Sequence, residues 1–218
     1  MTLALIAGVD TGPVNSGTAL NDNLLSASLT DPPPELLIVE GQSALHAINN
    51  VRNKRDQALL SLQGKLPNAA KLTRTRVLEH SQTRQLISTL AVGLEAECNP
   101  LALPFRGVRM LVEADADGQH TLWLLLQLFH RYLHPLLDAG LVGSIQCPLA
   151  RIDGAEGSHY VWNNNETRRY LDCEDSSETR TITVFKGIAS LTATERHQWL
   201  INPATRREQV YKPGHALA

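Results

Sequence analysis

Three acidic residues, spaced two apart, follow the apolar segment Val108–Val112. They are Glu113, Asp115 and Asp117, and Gly118 comes directly after them. Because alternate residues of an extended chain point the same way, the three carboxylates can converge just beyond the end of the strand, where ligands bind in open α/β sheets. Carboxylates held together repel each other unless a cation neutralises them, and hard oxygen ligands suit Mg²⁺. The pattern therefore predicts a divalent-metal site, with an acidic, solvated turn as the alternative.

A second acidic element lies upstream, in the segment Leu36–Ser43. Here too an apolar strand ends in a carboxylate, Glu40, which is followed by Gly41 and by an expected helix start at Ser43. Neighbouring parallel strands bring their carboxyl ends to one edge of a sheet. If these two strands are neighbours, Glu40 lies beside the three downstream carboxylates, and the pair of elements is more specific than either one.

The two elements, in this order, resemble the TOPRIM domain of the B subunits of DNA gyrase and topoisomerase IV and of related type IIA enzymes. The matching segments are ELLIVEGQSA (35–44), RNKRDQALLSLQGKLPNAAK (52–71), QLISTLAVGL (85–94), VRMLVEADADGQHTLWLLLQLFHRYLHPLLDAGLV (108–142), QCPLARI (146–152) and FKGIASL with NPATRRE behind it (185–208). The resemblance implies an α/β TOPRIM fold. This fold is Rossmann-like, with a mainly parallel four-stranded sheet flanked by helices and a small C-terminal β-hairpin plus helix.

The order of these segments divides the chain into four parts. They are a loose N-terminal arm (1–34), the TOPRIM domain (35–152), a hairpin and helix extension (153–208) and a tail (209–218). We expect strands at Glu35–Val39, Gln57–Leu62, Val108–Val112 and Val142–Ile152, and a hairpin that pairs Tyr160–Trp162 with Thr181–Phe185. Apolar spacing and capping residues predict helices at Ser43–Asn50, Thr83–Leu94, Gly118–Leu137 and Thr192–Leu200. Ser43 and Thr192 are the expected N-caps, and the chain is expected to fray from Arg206.

Composition argues against several classes of protein. The 218-residue chain has a formal net charge of −2, which argues against a protein that coats DNA through bulk charge. Its three cysteines, Cys98, Cys147 and Cys173, are widely spaced and form no CxxC pair. This spacing fits a reducing compartment and excludes a cysteine zinc site. No run of about 18 apolar residues predicts a membrane span, so we expect a cytoplasmic protein without a membrane partner.

The resemblance assigns roles to the acidic residues. Glu40 matches the family's glutamate, which is a metal ligand and the catalytic acid or base toward the DNA 3′ oxygen. Glu113, Asp115 and Asp117 match the family's DxDxD metal ligands. The implied cofactor is Mg²⁺ or Mn²⁺. The implied partners are DNA and an A-type topoisomerase subunit that carries the catalytic tyrosine.

Positive charge concentrates between Arg52 and Arg84, where there are eight basic and only two acidic residues. The stretch is a candidate phosphate-binding surface, with a solvated helix face as the alternative. By resemblance, Lys65 matches a lysine close to the DNA backbone, and His120 matches a histidine that could contact DNA or cap the helix. The predicted DNA-binding residues are Lys65, Lys54, Arg55, Lys71 and His120.

Several site positions depart from the family pattern. Glu113 replaces an aspartate, and its extra methylene moves the carboxylate by about 1.5 Å, whereas catalytic sites tolerate displacements of about 0.5 Å. Gln42 replaces an acidic residue, and Leu45-His46 replaces a pair of glycines. These changes favour a specialised or catalytically weakened relative.

We therefore expect a Mg²⁺-dependent, DNA-binding TOPRIM protein similar to the DNA cleavage and religation half of a type IIA topoisomerase B subunit. The sequence contains no Gly-rich ATP-binding motif and no tyrosine in a matching context. It is therefore expected to lack an ATP site and to need a tyrosine-bearing partner. The alternatives are a non-catalytic DNA- or topoisomerase-binding module and a free-standing, metal-dependent TOPRIM nuclease.

Overall fold

The computed structural model describes residues 24–25, 32–173 and 180–212. The strands are β1 (Leu24–Leu25), β2 (Glu35–Glu40), β3 (Gln57–Leu62), β4 (Gly107–Val112), β5 (Val142–Gln146), β6 (Ala150–Gly154), β7 (Gly157–Val161), β8 (Thr181–Val184) and β9 (Glu208–Val210). The helices are α1 (Gly41–Asn49), α2 (Arg74–Glu79), α3 (Ser81–Leu90), α4 (Ala116–Tyr132), α5 (His134–Asp138), α6 (Asn164–Cys173) and α7 (Ala193–Arg196). A π-helical turn, His197–Ile201, continues α7, and 3₁₀ turns span Glu95–Glu97, Pro100–Ala102 and Ile188–Ser190. Most of the expected N-terminal arm and residues 213–218 of the expected tail lie outside the described residues.

The main sheet has the strand order β1-β3-β2-β4-β5-β9. Its four central strands are parallel, whereas β1 and β9 pair antiparallel at the two edges. Strands β2 and β3 are buried along almost their whole length, as is typical of parallel strands that are covered on both faces. The predicted α/β fold with a mainly parallel four-stranded sheet is confirmed, and two antiparallel edge strands extend the sheet to six.

Strand β9 lies where the chain was expected to fray. It pairs with β5, with Gly143 opposite Val210 and Ile145 opposite Glu208. The predicted fraying from Arg206 is therefore wrong for the described residues. A strand of three exposed residues carries too weak a hydrophobic pattern to be read from the sequence.

The two faces of the main sheet carry different cores. Alternate residues of a strand point to opposite faces, so Leu36 and Ile38 of β2 pack with α3 and α4, whereas Leu37 and Val39 pack with α1. The 3₁₀ turn Ile188–Ser190 packs on the α1 face of the sheet through Ile188. Apolar contacts thus hold both faces of β2 up to Glu40, which fixes the position of the Glu40 backbone.

Three predicted helices have different boundaries in the structure, and one of them, predicted at Thr83–Leu94, is α3 at Ser81–Leu90. Helix α1 begins at Gly41, directly after Glu40, and has no side-chain cap, so the predicted Ser43 cap is wrong. Helix α4 begins at Ala116 with Asp115 as its N-cap and ends at Tyr132, because Leu133 leaves the helical conformation before the short helix α5. The capping box predicted for Thr192 and Glu195 is confirmed.

The extension forms a separate antiparallel sheet with the order β7-β6-β8. The strand predicted at 142–152 is two strands, β5 in the main sheet and β6 in this one. The predicted pairing of Tyr160–Trp162 with Thr181–Phe185 is wrong, because β7 and β8 both pair with β6 and the hairpin is formed by β6 and β7. The polar stretch between β7 and β8 contains helix α6, which the sequence did not predict.

Across the described residues, no helix combines the length and the apolar character that crossing a bilayer would require.

Candidate functional site

Two carboxylates leave the main sheet at the same edge. Strands β2 and β4 are parallel neighbours, with Ile38 opposite Met110. Glu40, the last residue of β2, and Glu113, the first residue after β4, therefore lie at the carboxyl ends of adjacent strands. The Thr121 hydroxyl on α4 donates a hydrogen bond of 2.7 Å to Oε2 of Glu40. The predicted meeting of the upstream and downstream acidic elements is therefore present, and α4 orients Glu40.

Glu113 is held from the extension side. The backbone N–H of Ile188 donates to Oε1 of Glu113 at 2.9 Å. Burial raises the pKa of the Glu113 carboxyl, the Ile188 N–H opposes this, and the negative charges of Asp115 and Glu40 raise it further. The three carboxylates are therefore close enough for their charges to act on one another.

Asp115 and Asp117 lie at the start of α4 and are exposed. Oδ1 of Asp115 accepts the Gly118 N–H at 2.8 Å and so caps the helix. Lys65, in the loop after β3, donates from Nζ to Oδ1 of Asp117 at 2.6 Å. This hydrogen bond raises the pKa of Lys65 and lowers the pKa of Asp117.

The predicted DNA-binding residues do not form one surface. Lys65 follows β3 and His120 lies on the second turn of α4, so both are near the acidic edge. Lys54 and Arg55 precede β3 and lie at the opposite, amino-terminal end of the parallel strands. Lys71 follows Ala69, whose carbonyl accepts a hydrogen bond from Arg131 near the far end of α4. The structure therefore brings only two of the five residues to the carboxylates.

Comparison with known proteins gives this site a family. The Toprim domain family model matches residues 35–142, which run from β2 through the acidic edge to the start of β5. Residues 35–142 are a Toprim domain.

The chain is similar over most of its length to DNA gyrase B subunits. The protein from Metamycoplasma arthritidis is 33% identical over 184 residues, which cover 84% of this chain and 29% of that protein. The protein from Archaeoglobus fulgidus is 30% identical over 190 residues, which cover 87% of this chain and 30% of that protein. A protein from Staphylococcus aureus is 30% identical over 172 residues, 79% of this chain and 27% of that protein. The chain thus spans less than a third of the length of these relatives.

The acidic side chains at this edge of the Toprim domain offer the type of ligand atom that a hard divalent cation prefers. All four acidic side chains at the edge offer carboxylate oxygens, the ligand type that Mg²⁺ prefers. Within the described part of the chain, however, no three acidic, histidine or cysteine side chains are placed to hold an ion together. Lys65 and Ile188 each occupy one of the carboxylate oxygens. The residues fit the ion by chemistry and by charge, but they do not form a preformed cage.

Two contributors to the Toprim edge were missed in the sequence. Thr121 directly follows His120, and its position near the start of the predicted helix was the available signal. Cys147 lies buried behind the carboxylates, and burial together with the charges of Glu113 and Asp115 raises the pKa of its thiol to about 12. No sequence signal could have linked Cys147 to this edge, because the link depends on how β5 pairs with β4.

Proposed function

We propose that this chain is a Mg²⁺-dependent, DNA-binding Toprim module that works like the DNA cleavage and religation half of a gyrase B subunit. The observation that carries the proposal is the meeting of Glu40 and the acidic segment 113–117 at one edge of parallel strands, with Lys65 beside them. Similarity to gyrase B subunits supports the same reading. In this role the module would act on DNA together with a tyrosine-bearing, A-type subunit in the cytoplasm.

Glu40, Asp115 and Asp117 would hold the ion in this proposal. A bound Mg²⁺ would supply positive charge next to a transferring phosphoryl group and its leaving oxygen. Glu40 would take or return the proton of the DNA 3′ oxygen, and the Thr121 hydroxyl at 2.7 Å keeps its carboxylate turned toward the edge. Lys65 would leave Asp117 and pair with a DNA phosphate, which positions the backbone without reading its sequence.

The other predicted basic residues would take a different part of the duplex. Lys54, Arg55 and Lys71 are exposed but lie toward the opposite end of the sheet. A six-residue strand spans roughly 20 Å, which is about six base pairs of duplex at 3.4 Å per step. These three residues would therefore contact DNA only where the duplex continues past the cleavage edge.

Metal titration tests the first half of the proposal. We expect saturable binding of Mg²⁺ or Mn²⁺ by isothermal calorimetry, and loss of that binding in Asp115→Asn. Asparagine is as good an N-cap as aspartate, so the variant keeps helix α4 and removes only the charge. The matched control is Glu156→Gln, an exposed carboxylate in the turn between β6 and β7. Absence of saturable binding at millimolar metal, with and without a DNA duplex, would contradict the proposal.

DNA processing tests the second half. We expect supercoiled plasmid to be cleaved only when the chain, Mg²⁺ and a tyrosine-bearing A-type subunit are all present, and Glu40→Gln to abolish the cleavage. Nicking by the chain alone would instead identify a free-standing nuclease. DNA binding without cleavage under all conditions would identify a non-catalytic binding module. The contacts that Lys65 and Ile188 make to the carboxylates favour this second candidate.

A further inference from the structure

The carboxylate of Glu113 at the Toprim edge is partly buried and faces the extension. Glu40 and Glu113 are half-buried, whereas Asp115 and Asp117 are exposed. Oε1 of Glu113 accepts the Ile188 N–H at 2.9 Å. A side chain on the preceding residue, Gly187, would place its Cβ only 2.6 Å from the same oxygen. The backbone of the extension is therefore shaped around this carboxylate.

The segment that meets Glu113 is firmly attached elsewhere. Ile188 is buried in the core that covers the α1 face of the main sheet, together with Leu191. The next helix is capped by Thr192 and Glu195, and Glu195 is buried with Arg151 of β6 at 2.7 Å and the Tyr160 hydroxyl of β7 at 2.8 Å. The turn thus belongs to the extension, and Glu113 is its hydrogen-bonded link to the end of β4.

The length of the side chain at position 113 determines this link. An aspartate would place its carboxylate about 1.5 Å short of the position that glutamate reaches. At that distance the Ile188 N–H would have no hydrogen bond to residue 113. The glutamate found here, where the family pattern has an aspartate, is therefore the residue that spans the gap to the turn.

We propose that Glu113 anchors the turn at Gly187–Ile188 to the acidic edge and is not itself a ligand of the metal. The part of this inference that concerns the metal rests on the proposed function. The anchoring part rests only on the hydrogen bond and on the close approach of Gly187. In this arrangement Glu40, Asp115 and Asp117 hold the ion, and the extension and the acidic edge move as one unit.

Two single substitutions separate the effect of side-chain length at position 113 from the effect of its charge. Glu113→Gln keeps the length and an acceptor oxygen but removes the charge, and Glu113→Asp keeps the charge but loses the reach. Thermal unfolding in EDTA measures anchoring, and calorimetric titration with Mg²⁺ and Mn²⁺ measures ligation. Gly187→Ala is an independent variant, because it pushes the carboxylate off the turn without changing residue 113.

If Glu113 anchors the turn, the melting temperature should depend on the length of the side chain at position 113. We expect Glu113→Gln to melt within about 2 °C of the wild type, and Glu113→Asp and Gly187→Ala to melt roughly 3–10 °C lower, because a buried N–H loses its acceptor. We expect the metal affinity of Glu113→Gln to fall less than about fivefold at physiological salt, since only a screened neighbouring charge is lost.

The opposite pattern would overturn the inference. If Glu113→Asp melts like the wild type while Glu113→Gln melts lower, thermal stability depends on the charge of residue 113 and not on its length. The proposed anchor is then refuted. If Glu113→Gln loses as much metal affinity as Asp115→Asn, Glu113 is a ligand. If the wild type binds no metal, the proposed function fails, and the unfolding temperatures still decide whether Glu113 anchors the extension.

Discussion

The substitution Arg206→Leu should destabilise the fold mainly through Glu35, a buried carboxylate at the start of β2. Arg206 also pairs with Glu208, which keeps Arg109 as a partner after the substitution. Arg206 and Glu35 are both only 4% exposed at their side chains. The two terminal nitrogens of Arg206 donate to the two oxygens of Glu35 at 2.8 and 2.7 Å. After the substitution, Glu35 would keep Arg109 at 3.9 Å and a weak contact from Gln57 at 3.5 Å.

The expected cost follows from this geometry. Removing one partner of a buried ion pair costs about 3–5 kcal/mol, because the other charge stays buried without compensation. Since Arg109 remains nearby, we expect the lower end, about 3 kcal/mol. For a chain of this size that loss lowers the melting temperature by roughly 6–12 °C.

The pKa of Glu35 determines how the stability loss in Arg206→Leu changes with pH. Burial raises the pKa of Glu35, but the hydrogen bonds and charge of Arg206 outweigh it, and the pKa lies below the ordinary value of 4.5. In the wild type this stabilisation is present above pH 4.5 and is lost as the pH falls through the lowered pKa. In Arg206→Leu the burial is no longer opposed by Arg206, so Glu35 takes up a proton at higher pH. The stability difference between the two proteins should therefore shrink between pH 7 and pH 4.

Urea unfolding followed by circular dichroism at pH 7 and pH 4 measures both effects. Arg74→Leu is the matched control, because the ion pair of Arg74 with Glu95 is exposed and should contribute little. A double variant with leucine at both 35 and 206 should recover most of the loss, since both members of the buried pair are removed and Arg109 keeps Glu208 as its partner. The reasoning fails if Arg206→Leu costs no more than Arg74→Leu, or if its deficit is the same at both pH values.

Two further predictions concern the acidic edge. Lys65→Met should raise the Mg²⁺ affinity measured without DNA by roughly two- to fivefold, because Lys65 no longer competes for Asp117. Lys71→Met is the exposed control for this calorimetric titration, and equal affinities in both variants would contradict the competition. Burial and neighbouring charge raise the pKa of Cys147 to about 12, so iodoacetamide at pH 8 should leave this thiol unmodified in the folded protein, as read by peptide mass spectrometry. Rapid modification of Cys147 under native conditions would show that the edge is open behind Glu113.

Local patterns were enough to predict the centre of the fold and the meeting of the two acidic elements at one edge of the sheet. Continuous apolar runs that end in a carboxylate and a glycine, as at Glu40, specify buried parallel strands whose ends lie at one edge. The capping box at Thr192 could likewise be predicted from the sequence, because its two hydrogen-bonded residues are only three positions apart in the chain. Such signals depend on neighbours within a few positions, so folding does not change them.

Only the assembled structure decided which residues meet across long separations in the chain. The bond from Ile188 to Glu113 joins residues 75 positions apart, and the ion pair of Lys65 with Asp117 joins residues 52 apart. Strand β9 has no apolar pattern of its own and exists because β5 offers it an open edge. Lys54, Arg55 and Lys65 look alike in the sequence, but the direction of β3 places only Lys65 of these three at the acidic edge. Strand pairing and packing therefore determine that Glu113 accepts the Ile188 N–H and that Asp117 pairs with Lys65.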